Sequence, residues 1–145
     1  MEEINQKIYD KAISLLSIRM HTTGELQRKL RQRGFSAGEI FSILRRLEEL
    51  DFLNDQKFAE IFVDNLKRYK DWGYFGIKAK LQQRLVSADT VKDVLQDFFS
   101  PADELGVAKR FVGKLKKHGK TEEQIMRSLG SHGFRSDVVR QVSGF

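Results

Sequence analysis

Three histidines, His21, His118 and His132, could bind a metal ion or transfer protons near neutral pH. They lie far apart in the sequence, and none belongs to an HxxxH or HExxH pattern, which would place two imidazoles on one face of a helix. The chain contains no cysteine, which excludes a disulfide scaffold and a thiolate zinc site. We therefore predict no metal site and no cofactor.

Glycines and carboxylates give no better indication of an enzyme. Gly73 and Gly76 resemble part of a phosphate-binding loop, but no strand precedes them and no GK[ST] sequence follows them. Glu48, Glu49 and Asp51 form an acidic run, which is typical of a solvated helix face. Because no catalytic constellation is present in the sequence, we interpret the protein as a non-enzyme.

Basic side chains are the remaining feature that could carry a function. Twenty-six Lys and Arg against twenty Asp and Glu give a net charge of +6, which favours a polyanion or an acidic protein surface as partner. The candidate contacts to such a partner are Arg28, Lys29, Arg31 and Arg33; Lys67, Arg68, Lys70 and Trp72; Lys78, Lys80 and Arg84; and Arg110, Lys114 and Lys117. The alternative is that the Lys and Arg side chains only solvate outward helix faces.

An aromatic run, Trp72, Tyr74 and Phe75, follows the second basic group. Stacking of bases on these rings, beside Lys and Arg, would suit single-stranded nucleic acid. Packing of the same rings between helices is the alternative, and the sequence leaves both interpretations open.

A short helix with signals at both ends carries the first basic group. Thr22 is a good N-cap, and Glu25 is placed to complete a capping box with it. Gly34 can adopt the left-handed conformation that ends a helix, and Phe35 can then pack onto Leu30. The sequence therefore predicts where this helix begins and ends.

The same pattern recurs over residues 121–134, and a weaker copy over 73–86 lacks the capping threonine and the final glycine. Apolar residues with helical spacing precede and follow each copy, and no strand pattern of useful length occurs. This repetition predicts an all-α fold, an elongated array of three tandem three-helix repeats over residues 1–52, 53–99 and 100–145 in one continuous domain.

The repeat alignment also pairs basic residues, since Lys29 corresponds to Lys80 and Arg33 corresponds to Arg84. An array of repeats could therefore present a basic ribbon along one side. Acidic residues are concentrated elsewhere, over 48–55, 89–97 and 103–104.

Three details of the helices follow from the apolar spacing. The first helix is predicted from about Glu2 to Met20. The run 67–76, with its glycines and aromatics, is predicted to interrupt the helix before it. Ile77, Leu81 and Leu85 are expected to form the apolar face of the next short helix.

The first twenty residues begin with acidic side chains and lack a long apolar run, which argues against a secretory signal. No stretch of eighteen consecutive apolar residues occurs. We therefore expect a cytoplasmic protein that has no membrane partner and is monomeric.

Three motifs resemble those of the RecX family of recombination regulators. The first, similar to R-x-x-S-x-x-E-L-x-x-K-L-x-x-x-G, comprises Arg19, Thr22, Glu25, Leu26, Lys29, Leu30 and Gly34. The second, similar to G-x-L-D-D-x-x-F-A, comprises Leu50, Leu53, Asp55, Phe58 and Ala59. The third comprises Trp72, Gly73, Ile77 and Leu81. The chain departs from the family pattern at Asp51, at Asn54 and at Arg84, Leu85 and Val86.

The resemblance implies a regulator that binds RecA, usually within the groove of the RecA–DNA filament, and lowers its strand exchange, ATP hydrolysis and co-protease activities. It therefore implies a role in homologous recombination, DNA repair and the SOS response, with RecA and the RecA–DNA filament as partners and weak direct binding to single- or double-stranded DNA. The alternative is a helical nucleic-acid-binding module that acts on DNA directly. Binding to DNA without RecA should weaken steeply with salt in that alternative only.

Overall fold

The computed structural model describes residues 4–143, which form helices and no strand. The helices in this range are α1 (Gln6–Ile18), α2 (Thr23–Gln32), α3 (Ala37–Glu49), α4 (Asp55–Tyr69), α5 (Tyr74–Gln83), α6 (Ala88–Phe98), α7 (Pro101–Lys117), α8 (Glu122–Ser131) and α9 (Ser136–Val142). The prediction of an all-α fold is therefore confirmed. Within the described part of the chain, no helix is long and apolar enough to cross a membrane.

The chain divides into two compact units. Unit 1 consists of Met1–Phe58 and Arg84–Val86, and unit 2 consists of Ala59–Gln83 and Ser87–Phe145. In unit 1, α1, α2 and α3 pack against one another around apolar side chains that are spaced at helical intervals. Its buried core is Ile8, Ala12, Leu15, Leu26, Leu30, Ile40, Ile43, Leu44, Leu47 and Leu53.

In unit 2, α7 packs against α8 and α9, and α5 packs against α6. The first turn of α5 also contacts the end of α8, because the N–H of Gly73 donates to the carbonyl of His132 at 2.9 Å and the N–H of Phe75 donates to that of Gly133 at 2.8 Å. A Cβ on Gly73 would overlap the backbone of Phe134. The glycine of this run therefore permits close packing of two backbones.

Both ends of α2 are as predicted. The Thr22 hydroxyl accepts from the N–H of Glu25 at 3.2 Å, and the Glu25 carboxylate accepts from the N–H of Thr22 at 3.0 Å. At the other end Gly34 has φ +87°, and the N–H of Phe35 donates to the carbonyl of Leu30 at 3.4 Å, which is the Schellman bond. The same capping box and the same final glycine occur in α8.

The end of α5 corrects one prediction. Leu85 does not belong to the apolar face of the helix, because α5 ends at Gln83 and Leu85 has φ +61°. Leu85 thus occupies the left-handed position that glycine fills after α2 and α8, and 39% of its surface is exposed. In unit 1 a Cβ on Gly24 would lie 2.7 Å from the Cβ of Leu85, so these two residues are in tight contact.

Two helix boundaries also differ from the predictions. α1 begins after Asn5, whose side chain accepts from the N–H of Lys7, and it ends before Arg19, which is extended; residues 1–3 lie outside the described range. The interruption predicted over 67–76 is restricted to residues 70–73. Helix α5 can begin at Tyr74 because the carboxylate of Glu104 accepts its N–H at 2.9 Å.

Candidate functional site

The predicted contact residues lie in different environments, and Arg84 is one of those that contact other residues of the fold. In unit 1 its Nε donates to Oε2 of Glu25 at 2.9 Å, and its guanidinium lies 4.8 Å from the ring centre of Phe58. Arg19 forms a second ion pair with Glu25 at 3.3 Å. Because only 6% of the Glu25 side chain is exposed, this carboxylate depends on its two arginines for compensation.

The pKa of Glu25 reflects the same contacts. Burial acts to raise this pKa, but the hydrogen bonds from Arg84, from the N–H of Thr22 and from Arg19 outweigh burial and lower it to about 2. Glu25 is therefore ionised at neutral pH. The Thr22 hydroxyl adds a further link by donating to the carbonyl of Arg84 at 2.6 Å.

Lys29 is directed toward the buried imidazole of His21. Its Nζ lies 2.8 Å from Nε2 of His21, and Nδ1 of that ring lies 3.0 Å from the carbonyl oxygen of Arg19. This arrangement fits a neutral imidazole protonated on Nδ1, which donates to the carbonyl and accepts from the ammonium. Burial, followed by the charges of Arg19 and Lys29, lowers the pKa of His21 against the opposing effect of the carbonyl hydrogen bond.

A second set of predicted contact residues that form ion pairs within the fold lies in unit 2, near the last turn of α4. Arg110 and Lys114 form ion pairs with Asp71 at 3.4 Å and 2.9 Å. The guanidinium of Arg110 also donates to the backbone carbonyls of Lys67, Arg68 and Lys70. The carbonyls of Lys67 and Arg68 belong to the last turn of α4, which lacks helical partners, so Arg110 stabilises the end of α4.

Two further basic side chains of α4 are paired with acceptors in unit 2. Lys67 donates to the carbonyl of Phe98 at 3.0 Å and approaches Asp103 at 3.5 Å, and Arg68 pairs with Asp64 at 2.9 Å.

Trp72 packs within unit 2. Its ring stacks on that of His132, with centroids 4.5 Å apart, and Nζ of Lys80 lies 4.2 Å from the Trp72 ring. Phe111 contacts the imidazole of His132, with centroids 4.5 Å apart. Of the aromatic run, Phe75 is the ring that is most exposed, at 54%.

Six predicted side chains make no hydrogen bond, ion pair or ring contact with any residue between 4 and 143: Arg28, Arg31, Arg33, Lys70, Lys78 and Lys117. Three of them are exposed and lie close together in sequence at the end of α2. We call Arg28, Arg31 and Arg33 the α2 arginine cluster. Arg28 and Arg31 are neighbours on one helix face because they are three residues apart.

Sequence reasoning missed the role of Glu104, which it named only among the acidic residues that lie apart from the basic groups. Its side chain is completely buried, and its carboxylate accepts from the N–H of Tyr74 at 2.9 Å, from the N–H of Arg135 at 3.0 Å and from Nε of Arg135 at 2.6 Å. It therefore caps α5 and holds the residue that precedes α9. No local signal could have indicated this role, since its partners lie about thirty residues away on either side.

Asp55 has the corresponding role in unit 1. Its carboxylate accepts from the N–H of Thr23 at 2.8 Å and from the Thr23 hydroxyl at 3.1 Å. A carboxylate near the start of a long helix thus caps the first residue of a short helix in both units. Within the described residues, no group of three or more His, Asp or Glu side chains is arranged to hold a metal ion.

Comparisons with known proteins agree with this architecture. The model of the first three-helix domain of RecX matches residues 9–47, and that of the second matches residues 54–95. Regulatory protein RecX of Prosthecochloris aestuarii is 32% identical over 94% of this chain and 91% of its own length. Regulatory protein RecX of Chlorobium phaeobacteroides is 33% identical over 95% of this chain and 92% of its own length.

Solved crystal structures of RecX proteins also match this chain. The crystal structure of RecX from Lactobacillus salivarius superposes with a TM-score of 0.85 at 25% identity, covering 94% of this chain and 92% of that chain. A second crystal structure, of a regulatory protein RecX, has the same fold, with a TM-score of 0.83 at 22% identity over 97% of this chain and 71% of that chain. The family resemblance of the sequence motifs is confirmed, and the chain belongs to the RecX family of regulatory proteins.

Proposed function

We propose that this protein binds RecA, or the RecA–DNA filament, and restrains its recombinase, ATPase and co-protease activities. The observation that carries the proposal is its match to regulatory proteins named RecX over nearly the full length of both chains. The protein would act by binding and without catalysis, in the cytoplasm, as a monomer. This would make it a regulator of homologous recombination, DNA repair and the SOS response.

The α2 arginine cluster is the part of the basic surface that we propose as the main contact. Its three guanidinium groups are exposed and make no ion pair with residues 4–143, so an acidic surface or a phosphate could bind them without breaking a contact within the fold. Lys70 and Lys117, which are exposed, and Lys78, which is half-buried, also make no ion pair with residues 4–143 and are secondary candidates. An Arg such as Arg84 would first have to leave a buried carboxylate, which is costly.

The proposal modifies the basic ribbon predicted from the sequence. Lys29, Lys80 and Arg84, three of the four residues that suggested the ribbon, contact His21, Trp72 and Glu25 respectively. Arg33 is the member of that set whose side chain has no such partner within residues 4–143. We therefore expect Arg33 and its neighbours in α2 to contribute more to binding than the equivalent residues of α5.

We also propose that the chain consists of three tandem three-helix repeats, over residues 1–52, 53–99 and 100–145. The family models support the first two. Support for the third comes from the capping box and left-handed glycine of α8, which match those of α2. The equivalent caps that Asp55 provides to α2 and Glu104 provides to α5 further support a common plan.

Co-sedimentation with RecA filaments tests the proposed function. Purified protein is centrifuged with RecA alone, with DNA alone and with RecA–DNA filaments, at two salt concentrations. We expect the protein to sediment with the filaments at both concentrations, since direct DNA binding through a few phosphate contacts weakens steeply with salt. Sedimentation with DNA alone to the same extent, and its loss at the higher salt concentration, would favour the alternative of a DNA-binding module.

A charge-reversal variant tests the surface. Arg28→Glu, Arg31→Glu and Arg33→Glu together should weaken sedimentation with filaments by about tenfold or more, because each change replaces an attraction with a repulsion. The control reverses three exposed acidic residues of α6, with Asp89→Lys, Asp93→Lys and Asp97→Lys, and it should not weaken binding. Equal binding by the parent and the arginine variant would exclude the α2 arginine cluster as the contact.

A further inference from the structure

Unit 1 contains an apolar groove between α2 and α3 that its own core does not fill. The groove has a volume of about 360 Å³. Ile40 and Leu44 form its floor, and Phe41 lies beside them on α3. The floor residues are buried, but Phe41 is 59% exposed although the rest of the apolar face of α3 is packed against α1 and α2. A large aromatic in this position is typical of a binding surface.

Charged residues surround this apolar centre unequally. Arg31 and Arg45 line the groove, and the guanidinium of Arg45 lies 5.7 Å from the ring centre of Phe41. Glu48, one turn further along α3, is the single acidic residue of the lining. Aromatic residues and arginines are both enriched at protein–protein interfaces. Arg31 also belongs to the α2 arginine cluster, so the groove is continuous with the proposed contact surface.

We infer that this groove docks a short amphipathic helix of the protein partner, with apolar side chains over Phe41 and a carboxylate opposite Arg31 and Arg45. Apolar anchors placed one turn apart on such a helix would contact the floor, and the carboxylate would compensate the net positive charge of the rim. A nucleic acid fits less well, because the carboxylate of Glu48 in the lining would repel phosphate.

The inference rests on the proposed function, since the probe for its test is the RecA–DNA filament. The test measures the affinity of the filament for Phe41→Ser and Arg45→Glu variants, with circular dichroism to establish that both fold. We expect each change to weaken binding about tenfold or more. The matched control is Phe52→Ser, which removes a phenylalanine of unit 1 that is similarly exposed, at 54%, and lies outside the groove.

A fluorescent label reports the same contact directly. Because the chain has no cysteine, Gln27→Cys places a single label in the groove, and Ser14→Cys places one on the exposed face of α1. Filaments should change the emission of the Gln27→Cys label and leave that of the Ser14→Cys label nearly unchanged. The same response from both labels would contradict the inference.

The outcomes separate the two proposals. If the parent protein does not bind filaments, the proposed function fails and the groove inference fails with it. If the parent binds and Phe41→Ser binds as tightly, or if Phe41→Ser and Phe52→Ser weaken binding equally, the groove inference alone is overturned. A concentration-dependent dimer that Phe41→Ser abolishes would show instead that the groove binds a second copy of this chain.

Discussion

Glu25 and Arg84, which are 59 positions apart in the sequence, form an ion pair in unit 1 in which Nε of the arginine lies 2.9 Å from Oε2 of the carboxylate. Glu25 also completes the capping box of α2, so one carboxylate both begins a helix and holds the segment 84–86 of the same unit. The ion pair therefore connects the local structure of α2 to the tertiary structure of unit 1.

Replacement of Glu25 by Gln should destabilise the protein by about 3 kcal/mol at neutral pH, because it leaves the Arg84 guanidinium without its anionic partner. Urea unfolding followed by circular dichroism measures the change. Glu39→Gln is the matched control, since Glu39 completes the capping box of α3 but forms no ion pair with residues 4–143. If Glu39→Gln lowers the free energy of unfolding as much as Glu25→Gln does, the ion pair adds little stability beyond that of the capping box.

The contribution of Glu25 to the free energy of unfolding should also depend on pH. Its pKa is about 2 in the folded protein and is taken as 4.5 when unperturbed, so the unfolded chain takes up a proton before the folded protein does. The stabilisation is therefore complete above pH 4.5 and is lost as the pH falls toward 2. Unfolding free energies of the parent and Glu25→Gln should converge over this interval. A difference that does not change with pH would contradict this account.

Glu104→Gln should be among the most destabilising conservative substitutions in unit 2, with a loss of about 3 kcal/mol or more. The amide cannot compensate the charge of Arg135. Its oxygen could still accept the N–H groups of Tyr74 and Arg135, which share Oε2, but its NH2 group would then replace Oε1, the acceptor of Nε of Arg135. Glu123→Gln, at an exposed position of α8, should change stability by less than about 0.5 kcal/mol. Similar urea midpoints for the two variants would show that the Glu104 contacts are not stabilising.

The final glycines of α2 and α8 should respond differently to alanine. Both have positive φ, so Gly34→Ala should cost about 1 kcal/mol from backbone strain alone. Gly133→Ala should cost at least twice as much, because its Cβ would overlap the backbone nitrogen of Gly76, whereas nothing lies within 4 Å of the Cβ position at Gly34. Thermal unfolding measures the loss of stability in both variants.

A third alanine serves as the control for these glycines. Gly130 lies within α8 and its Cβ position is also open, so Gly130→Ala should stabilise the protein slightly through its higher helix propensity. Equal losses for Gly34→Ala and Gly133→Ala would contradict the close approach of α5 and α8.

The parts of the fold that the sequence predicted are those specified by neighbouring residues. A capping box and a left-handed glycine involve residues within one or two helical turns, so Thr22, Glu25 and Gly34 could be assigned from spacing. The left-handed conformation of Leu85 could not be assigned in this way, because leucine does not favour a positive φ and the contact of Leu85 with Gly24 is a tertiary one. Sequence spacing describes local preference and cannot describe that contact.

Prediction of the candidate functional site from sequence has the same limit, because contacts between distant residues cannot be read from spacing. Basic residues are easily found in the sequence, but whether each is available depends on partners that are distant in the chain, such as Glu25 for Arg84 and Asp71 for Arg110. The burial of Glu104 was likewise unpredictable, because a carboxylate in an acidic pair looks the same whether it faces solvent or two helix ends. The three-dimensional contacts are therefore the reason why we propose the α2 arginine cluster, in place of a broad basic ribbon, as the main contact.

The most direct measurement is the rate of ATP hydrolysis by RecA on single-stranded DNA in the presence of increasing amounts of this protein. The parent should lower the rate, and the variant with Arg28, Arg31 and Arg33 changed to Glu should require about tenfold more protein for the same inhibition, with a larger deficit at low salt, where the reversed charges are less screened. A hydrolysis rate that the parent leaves unchanged at saturating concentration would contradict the proposal that this protein regulates RecA.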